Sequence, residues 1–205
     1  MTRVQFLFDF GSPNAFLAHR AIPAIEQRTG VRFSYVPVLL GGLFKLTGNQ
    51  SPAMAFAAIK NKPAYNQLEM QRFIARHAIT DFVFNPYFPV NTLQLMRGAV
   101  AAQEVGVFEQ YVDAVFDAMW AEGLAMGQPE VVAATLAAAG LPTEQLLIQM
   151  QSPQVKQRLA DNTQAAFLQG AFGSPSFRVG DELYFGKDSL RDVEEEIIRV
   201  TAPTP

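Results

Sequence analysis

Three short stretches hold the residues best suited to chemistry. Gly11-Ser12-Pro13 stands where an apolar run ends and a helical pattern begins. The first turn of a helix carries unpaired N–H groups and the positive end of the helix dipole, and both favour an anion. A thiolate brought to Ser12 would be stabilised there. The same residues also make an ordinary helix opening, with Ser12 as N-cap and Pro13 as the first helical residue. Gly173-Ser174-Pro175 precedes a strand-like run. Proline supplies no ladder N–H and can take the cis form, which would leave the Ser174 N–H and C=O for an extended, peptide-like ligand. A plain loop entering a strand has the same sequence. In Phe185-Gly186-Lys187-Asp188, glycine lets a ligand approach the backbone and Asp188 offers a carboxylate to a free amino group. Asp188 as a simple N-cap is the alternative.

The chain has no cysteine. Disulfides, dithiol redox chemistry, a cysteine nucleophile and thiolate metal sites are thereby excluded, so any thiol chemistry needs a borrowed thiol. The two histidines, His19 and His77, are too isolated to suggest a metal site.

These stretches need elements to position them. Val4 to Phe10 reads as a buried strand, and a helix follows through Phe16, Leu17, Ile22 and Ile25 until Gly30 closes it. Val31 to Val36 alternates as a half-buried strand does, so the opening is a parallel βαβ unit. From Ser51 to Gln169 the pattern is helical, with breaks at Gly and Pro. Leu93–Glu104 and Phe108–Ala121 carry apolar residues at three- and four-residue steps and are expected to pack side by side. Gly180-Asp181 marks a hairpin between Ser176–Val179 and Glu182–Phe185, and an amphipathic helix runs from Asp188 to Val200. The expectation is an α/β domain, residues 1–50 and 170–205, interrupted by a helical domain, residues 51–169.

Composition supports a folded chain. Of 205 residues, 49% are hydrophobic and 17% charged, which is too apolar for disorder. The net charge of −3 gives no reason to expect nucleic acid or an acidic membrane as partner. No secretory signal is evident and no apolar run nears the roughly 18 residues that span a bilayer. A cytoplasmic location is expected.

Taken in order, the motifs resemble the thioredoxin-like, DsbA-like family of 2-hydroxychromene-2-carboxylate isomerases and kappa-class glutathione transferases. The resemblance runs through Phe8-Asp9-Phe10-Gly11-Ser12-Pro13, Gly48-Asn49, Lys62 with Tyr65, Glu69 and Arg72, then Phe88-Pro89-Val90-Asn91-Thr92, Gly173-Ser174-Pro175 and Gly186-Lys187-Asp188. It implies a thioredoxin-like domain with an all-helical insertion, glutathione as cofactor, and Ser12 hydrogen-bonded to the glutathione sulfur. That role suits serine, whose hydroxyl is a poor nucleophile without an adjacent base. The resemblance also implies that Ser174 pairs with the glutathione backbone beside a cis Pro175. Phe185, Gly186, Lys187 and Asp188 would line the γ-glutamyl end, with Lys62 near the site. Phe44, Lys45, Asn49 and Met54 would contact a small aromatic or hydrophobic second substrate, with Phe88 as a further wall. Two departures stand out: Ser174 replaces a small apolar residue, and Ser189 an arginine.

The activity so implied is a glutathione-dependent cis–trans isomerisation of 2-hydroxychromene-2-carboxylate or a related intermediate of aromatic catabolism. A glutathione transferase that keeps the adduct is the enzymic alternative, and a non-catalytic thioredoxin-fold binding module is the third. A homodimer is implied by the resemblance alone. Whether Lys45 or Arg97 meets a substrate carboxylate stays open.

Overall fold

A computed structural model describes residues 3–202. Residues 1–2 and 203–205, the outer ends of the expected α/β segments, lie outside the described residues. The chain opens with β1 (Val4–Phe8), α1 (Pro13–Thr29) and β2 (Phe33–Pro37), and β1 and β2 are parallel. Helices follow: α2 (Leu40–Thr47), α3 (Pro52–Ala55), α4 (Lys62–Arg76), α5 (Leu93–Val105), α6 (Phe108–Trp120), α7 (Pro129–Ala138), α8 (Thr143–Gln149) and α9 (Pro153–Leu168). The hairpin β3 (Ser176–Val179) and β4 (Glu182–Phe185), a 3-10 turn at Lys187–Ser189 and α10 (Leu190–Thr201) close the fold. The sheet order is β2-β1-β3-β4, with β3 antiparallel to both its neighbours.

The central strand β1 is buried on both faces, and its alternation sorts two cores. Val4, Phe6 and Phe8 join Phe10 in the larger core with residues of α1, α5, α6 and α10. Leu7 points the other way, into a small cluster with Val38, Leu43, Ala166 and Ala171 beside α2 and α9. The aromatic rings mesh in both stacked and edge-to-face pairs, with Phe6 and Phe177 at 5.3 Å and 14° and Phe10 and Phe116 at 4.8 Å and 70°. Trp120 is wholly buried, and its indole N–H donates to the Phe10 carbonyl at 2.7 Å. The expected pair of adjacent helices is α5 and α6, which Tyr111 ties together by donating to the Leu95 carbonyl at 3.0 Å.

Three local expectations need correction. The first strand ends at Phe8, two residues early, because Asp9 turns the chain: its carboxylate accepts the Gly11 N–H at 2.8 Å and its carbonyl the Ser12 N–H at 3.1 Å. The stretch between Val36 and Ser51, to which no element was assigned, holds α2, which ends at a left-handed Gly48, φ 68°. Gly41 and Gly42, both poor helix formers, conceal it in the sequence. The last helix opens as a 3-10 turn and becomes α-helical only at Leu190. Among the described residues no helix is long and apolar enough to cross a membrane.

Candidate active site

Ser12 is the N-cap of α1. Its extended backbone, φ −100° and ψ 113°, lets the hydroxyl accept the Ala15 N–H at 3.2 Å, and Pro13 takes the first helical position. The helix therefore begins at the Ser12 hydroxyl, in the polarised setting that favours an anion. Ser12 is 5% exposed.

Across from it lies the loop before β3, where the Ser174-Pro175 bond is cis. The Ser12 hydroxyl donates to the Ser174 carbonyl at 2.9 Å. The carbonyl expected to face a ligand thus holds the Ser12 hydroxyl on one of its two lone pairs. The Ser174 N–H makes no hydrogen bond to another described group. The Ser174 side chain turns inward, and its hydroxyl accepts the Asp9 N–H at 3.0 Å. A small apolar residue could not make that bond. Gly186 N–H donates to the Pro175 carbonyl at 2.9 Å, which brings the third stretch against the second.

Beneath these groups sits Asp9, quoted in the first motif but given no role there. Its side chain is fully buried, and its carboxylate accepts from Gly11 N–H at 2.8 Å, Leu40 N–H at 2.7 Å and the Thr92 hydroxyl at 2.7 Å. It thus joins the end of β1, the start of α2 and the N-cap of α5. Burial pushes its pKa above the ordinary carboxylate value, against the pull of the three donors. An acidic residue between two phenylalanines at the end of an apolar run was the available signal.

The structure brings Ser12, Ser174, Pro175 and Gly186 together and distributes the other expected residues around them. Phe185 is 43% exposed, lies against Phe172 with ring centroids 4.4 Å apart and tilted by 42°, and crowds Gly173, where a Cβ would meet its ring at 2.7 Å. The Asn49 side-chain amide donates to the Phe172 carbonyl at 3.1 Å, so Asn49 braces this loop. Lys187 is 3% exposed and pairs with Asp188 at 2.6 Å. Lys62 opens α4 with its ammonium over the rings of Phe56 and Tyr65, at 5.5 and 5.7 Å. Phe44 is half-buried on α2, Lys45 is exposed, and Met54 is 72% exposed on α3. No hydrogen bond or ion pair joins Phe44, Lys45, Lys62 or Met54 to Ser12, Ser174 or Asp188. The Arg97 Nε is buried and bonds no described group. A groove of about 470 Å³ lies on the other side of the sheet, between β1, β2, α5 and α9, and is lined by none of the expected site residues.

A four-stranded mixed sheet with a serine at the start of the first helix and a cis-proline loop facing it defines a thioredoxin-fold protein. Residues 3–198 match the DSBA-like thioredoxin domain, and the chain belongs to that family. The chain is 27% identical over 197 residues to 2-hydroxychromene-2-carboxylate isomerase of Pseudomonas putida, covering 96% of this chain and 95% of that protein. It is 25% identical over 200 residues to glutathione S-transferase kappa 1 of Rattus norvegicus, covering 91% and 87%. A solved 2-hydroxychromene-2-carboxylate isomerase superposes with a TM-score of 0.82 at 27% identity, covering 96% of this chain and 95% of that one. A probable DsbA oxidoreductase from Streptomyces coelicolor shares the fold, with a TM-score of 0.70 at 17% identity over 100% and 92% of the two chains.

Proposed function

We propose that the protein is a glutathione-dependent isomerase of 2-hydroxychromene-2-carboxylate or a related aromatic intermediate. The observation that carries this reading is the pairing of the Ser12 hydroxyl, at a helix N-terminus, with the cis-Pro175 loop 2.9 Å away. The full-length match to enzymes named as that isomerase supports it.

The residues present fit glutathione. The Ser174 N–H, unbonded among the described residues, suits a peptide carbonyl, and Asp188 suits the α-amino group of the γ-glutamyl end. When bound, glutathione supplies the nucleophilic sulfur that a cysteine-free chain lacks. Ser12 holds the thiol in its ionised form: its hydroxyl turns from the Ser174 carbonyl to donate to the sulfur, and the α1 dipole adds to the effect. Asp9 keeps the Ser12 turn, the α2 start and the α5 start in register. Exposed apolar side chains on α3 and α4, among them Met54, Tyr65 and Leu68, suit a small aromatic acceptor. In this reading the enzyme is cytoplasmic, because reduced glutathione is held in that compartment, and a homodimer by its likeness to the isomerases and transferases alone.

Calorimetric titration with glutathione and, in parallel, S-methylglutathione tests the site. Saturable glutathione binding that methylation weakens is the expected result, and no binding at millimolar glutathione would overturn it. A kappa-class-like transferase is the second reading, favoured by the match to the rat enzyme. The two are separated by following free thiol during turnover: an isomerase leaves it constant, and a transferase consumes it.

A further inference from the structure

Lys187 is a cation placed between two carboxylates. Its Nζ is 2.6 Å from Asp188 Oδ2, 3.9 Å from Glu69 Oε2 and 5.0 Å above the Phe73 ring. The lysine side chain is 3% exposed, while Glu69 and Asp188 are 43% and 51% exposed. A buried ammonium needs compensation, and Asp188 alone supplies it at hydrogen-bond distance. Glu69 then leaves the group with one negative charge in excess. Asp188 Oδ1 and Glu69 Oε1 accept no hydrogen bond from a described residue, so both keep lone pairs for a donor. His77, whose ring lies 4.2 Å from that of Phe73, has its pKa lowered by burial and adds no full charge at neutral pH.

We propose that Glu69, acting through Lys187, sets how strongly Asp188 attracts the primary ammonium of a ligand; this rests on reading the site as one for glutathione. With Glu69 sharing Lys187, part of the Asp188 charge is left for the incoming amine. Without Glu69, Lys187 neutralises Asp188. Glu69 is thus a specificity-determining residue on α4 for a ligand carrying a free α-amino group, and the same charge disfavours a carboxylate in that place. Phe73, the one buried residue of α4, lies under the same ammonium, so the contact that sets the charge also seats the helix.

The proposal predicts opposite signs for two variants. Glu69→Gln makes the group neutral and weakens glutathione binding by roughly two- to fivefold, the scale of a partly exposed ion pair. Lys187→Met keeps the buried stem against Phe73, leaves two uncompensated carboxylates and tightens glutathione by a similar factor. Glutaryl-cysteinylglycine, which is glutathione without its α-amino group, keeps the carboxylate that this charge disfavours, so Glu69→Gln does not weaken it and Lys187→Met does not tighten it. Calorimetry with the two ligands reads all of these. Equal weakening of both ligands, or no change in Glu69→Gln, overturns the proposal. Glu69 is exposed, so its variant carries the test alone if Lys187→Met does not fold. Wild-type protein that binds both ligands equally overturns the inference and leaves the functional reading standing; binding of neither ends both.

Discussion

The Ser12 hydroxyl donates to the Ser174 carbonyl at 2.9 Å, across 162 residues of sequence. The group expected to hold a thiolate is therefore directed at the loop expected to hold a peptide backbone. Replacing Ser12 by Ala removes one charge-assisted hydrogen bond to the bound sulfur, of about 1.5–3 kcal/mol. The titration of bound glutathione thiol, followed by its ultraviolet absorbance, should move up by roughly one to two units in Ser12→Ala. Affinity for S-methylglutathione should hold. An unmoved titration takes Ser12 out of the chemistry.

Asp9 and Thr92 predict a pH dependence. Burial raises the Asp9 pKa, so the native state keeps its proton more tightly than the unfolded chain does. Stability then falls as pH rises from the ordinary carboxylate value through the native one, because ionising Asp9 costs more when it is buried. The Thr92 hydroxyl, 2.7 Å from the carboxylate, reduces that cost only while the carboxylate is charged. Thr92→Val should accordingly destabilise by about 1.5–3 kcal/mol at pH 7 and by about 1 kcal/mol or less near pH 4. Urea unfolding at the two pH values measures the difference, and an equal loss at both would mean that Asp9 does not change its charge between them.

Much of this architecture was legible in local pattern. Ser12-Pro13 and Gly30 bracket α1, Gly180-Asp181 turns the hairpin, and the apolar stripe beginning at Phe108 marks α6. These signals act within a few residues, where capping, turn chemistry and periodicity operate. The Asp9 contacts reach Leu40, Thr92 and Ser174, 31, 83 and 165 residues away, and no local pattern encodes them. Lys187 shows the same limit. Expected to line the γ-glutamyl end, it carries no local sign of burial, yet the fold buries it under α4.

Trp120 offers a stability test apart from the ligand. It is the only tryptophan, and its indole donates to the Phe10 carbonyl just before the Ser12 turn. Trp120→Phe keeps most of the apolar contact but leaves that carbonyl buried without its donor, which costs about 1–3 kcal/mol, with a further contribution from the smaller ring. Unfolding followed by far-ultraviolet circular dichroism should show the loss. A variant as stable as wild type would mean that water replaces the indole.

Gly98 and Tyr111 make a pair whose substitutions should not add. A Cβ at Gly98 would fall 1.9 Å from the Tyr111 hydroxyl oxygen and 2.5 Å from Met150 Cε, inside the α5–α6 contact. Gly98→Ala alone should destabilise by about 1–3 kcal/mol or more through overpacking. Tyr111→Phe alone leaves the Leu95 carbonyl without its 3.0 Å donor, at about 1 kcal/mol. In the double variant the closest contact is gone, although Tyr111 Cζ at 2.5 Å remains, so the loss should be smaller than the sum by about 1 kcal/mol. Chemical denaturation of the four proteins closes the cycle. Strict additivity would show that α5 and α6 accommodate the methyl by moving apart, and that the close approach at Gly98 does not constrain their packing.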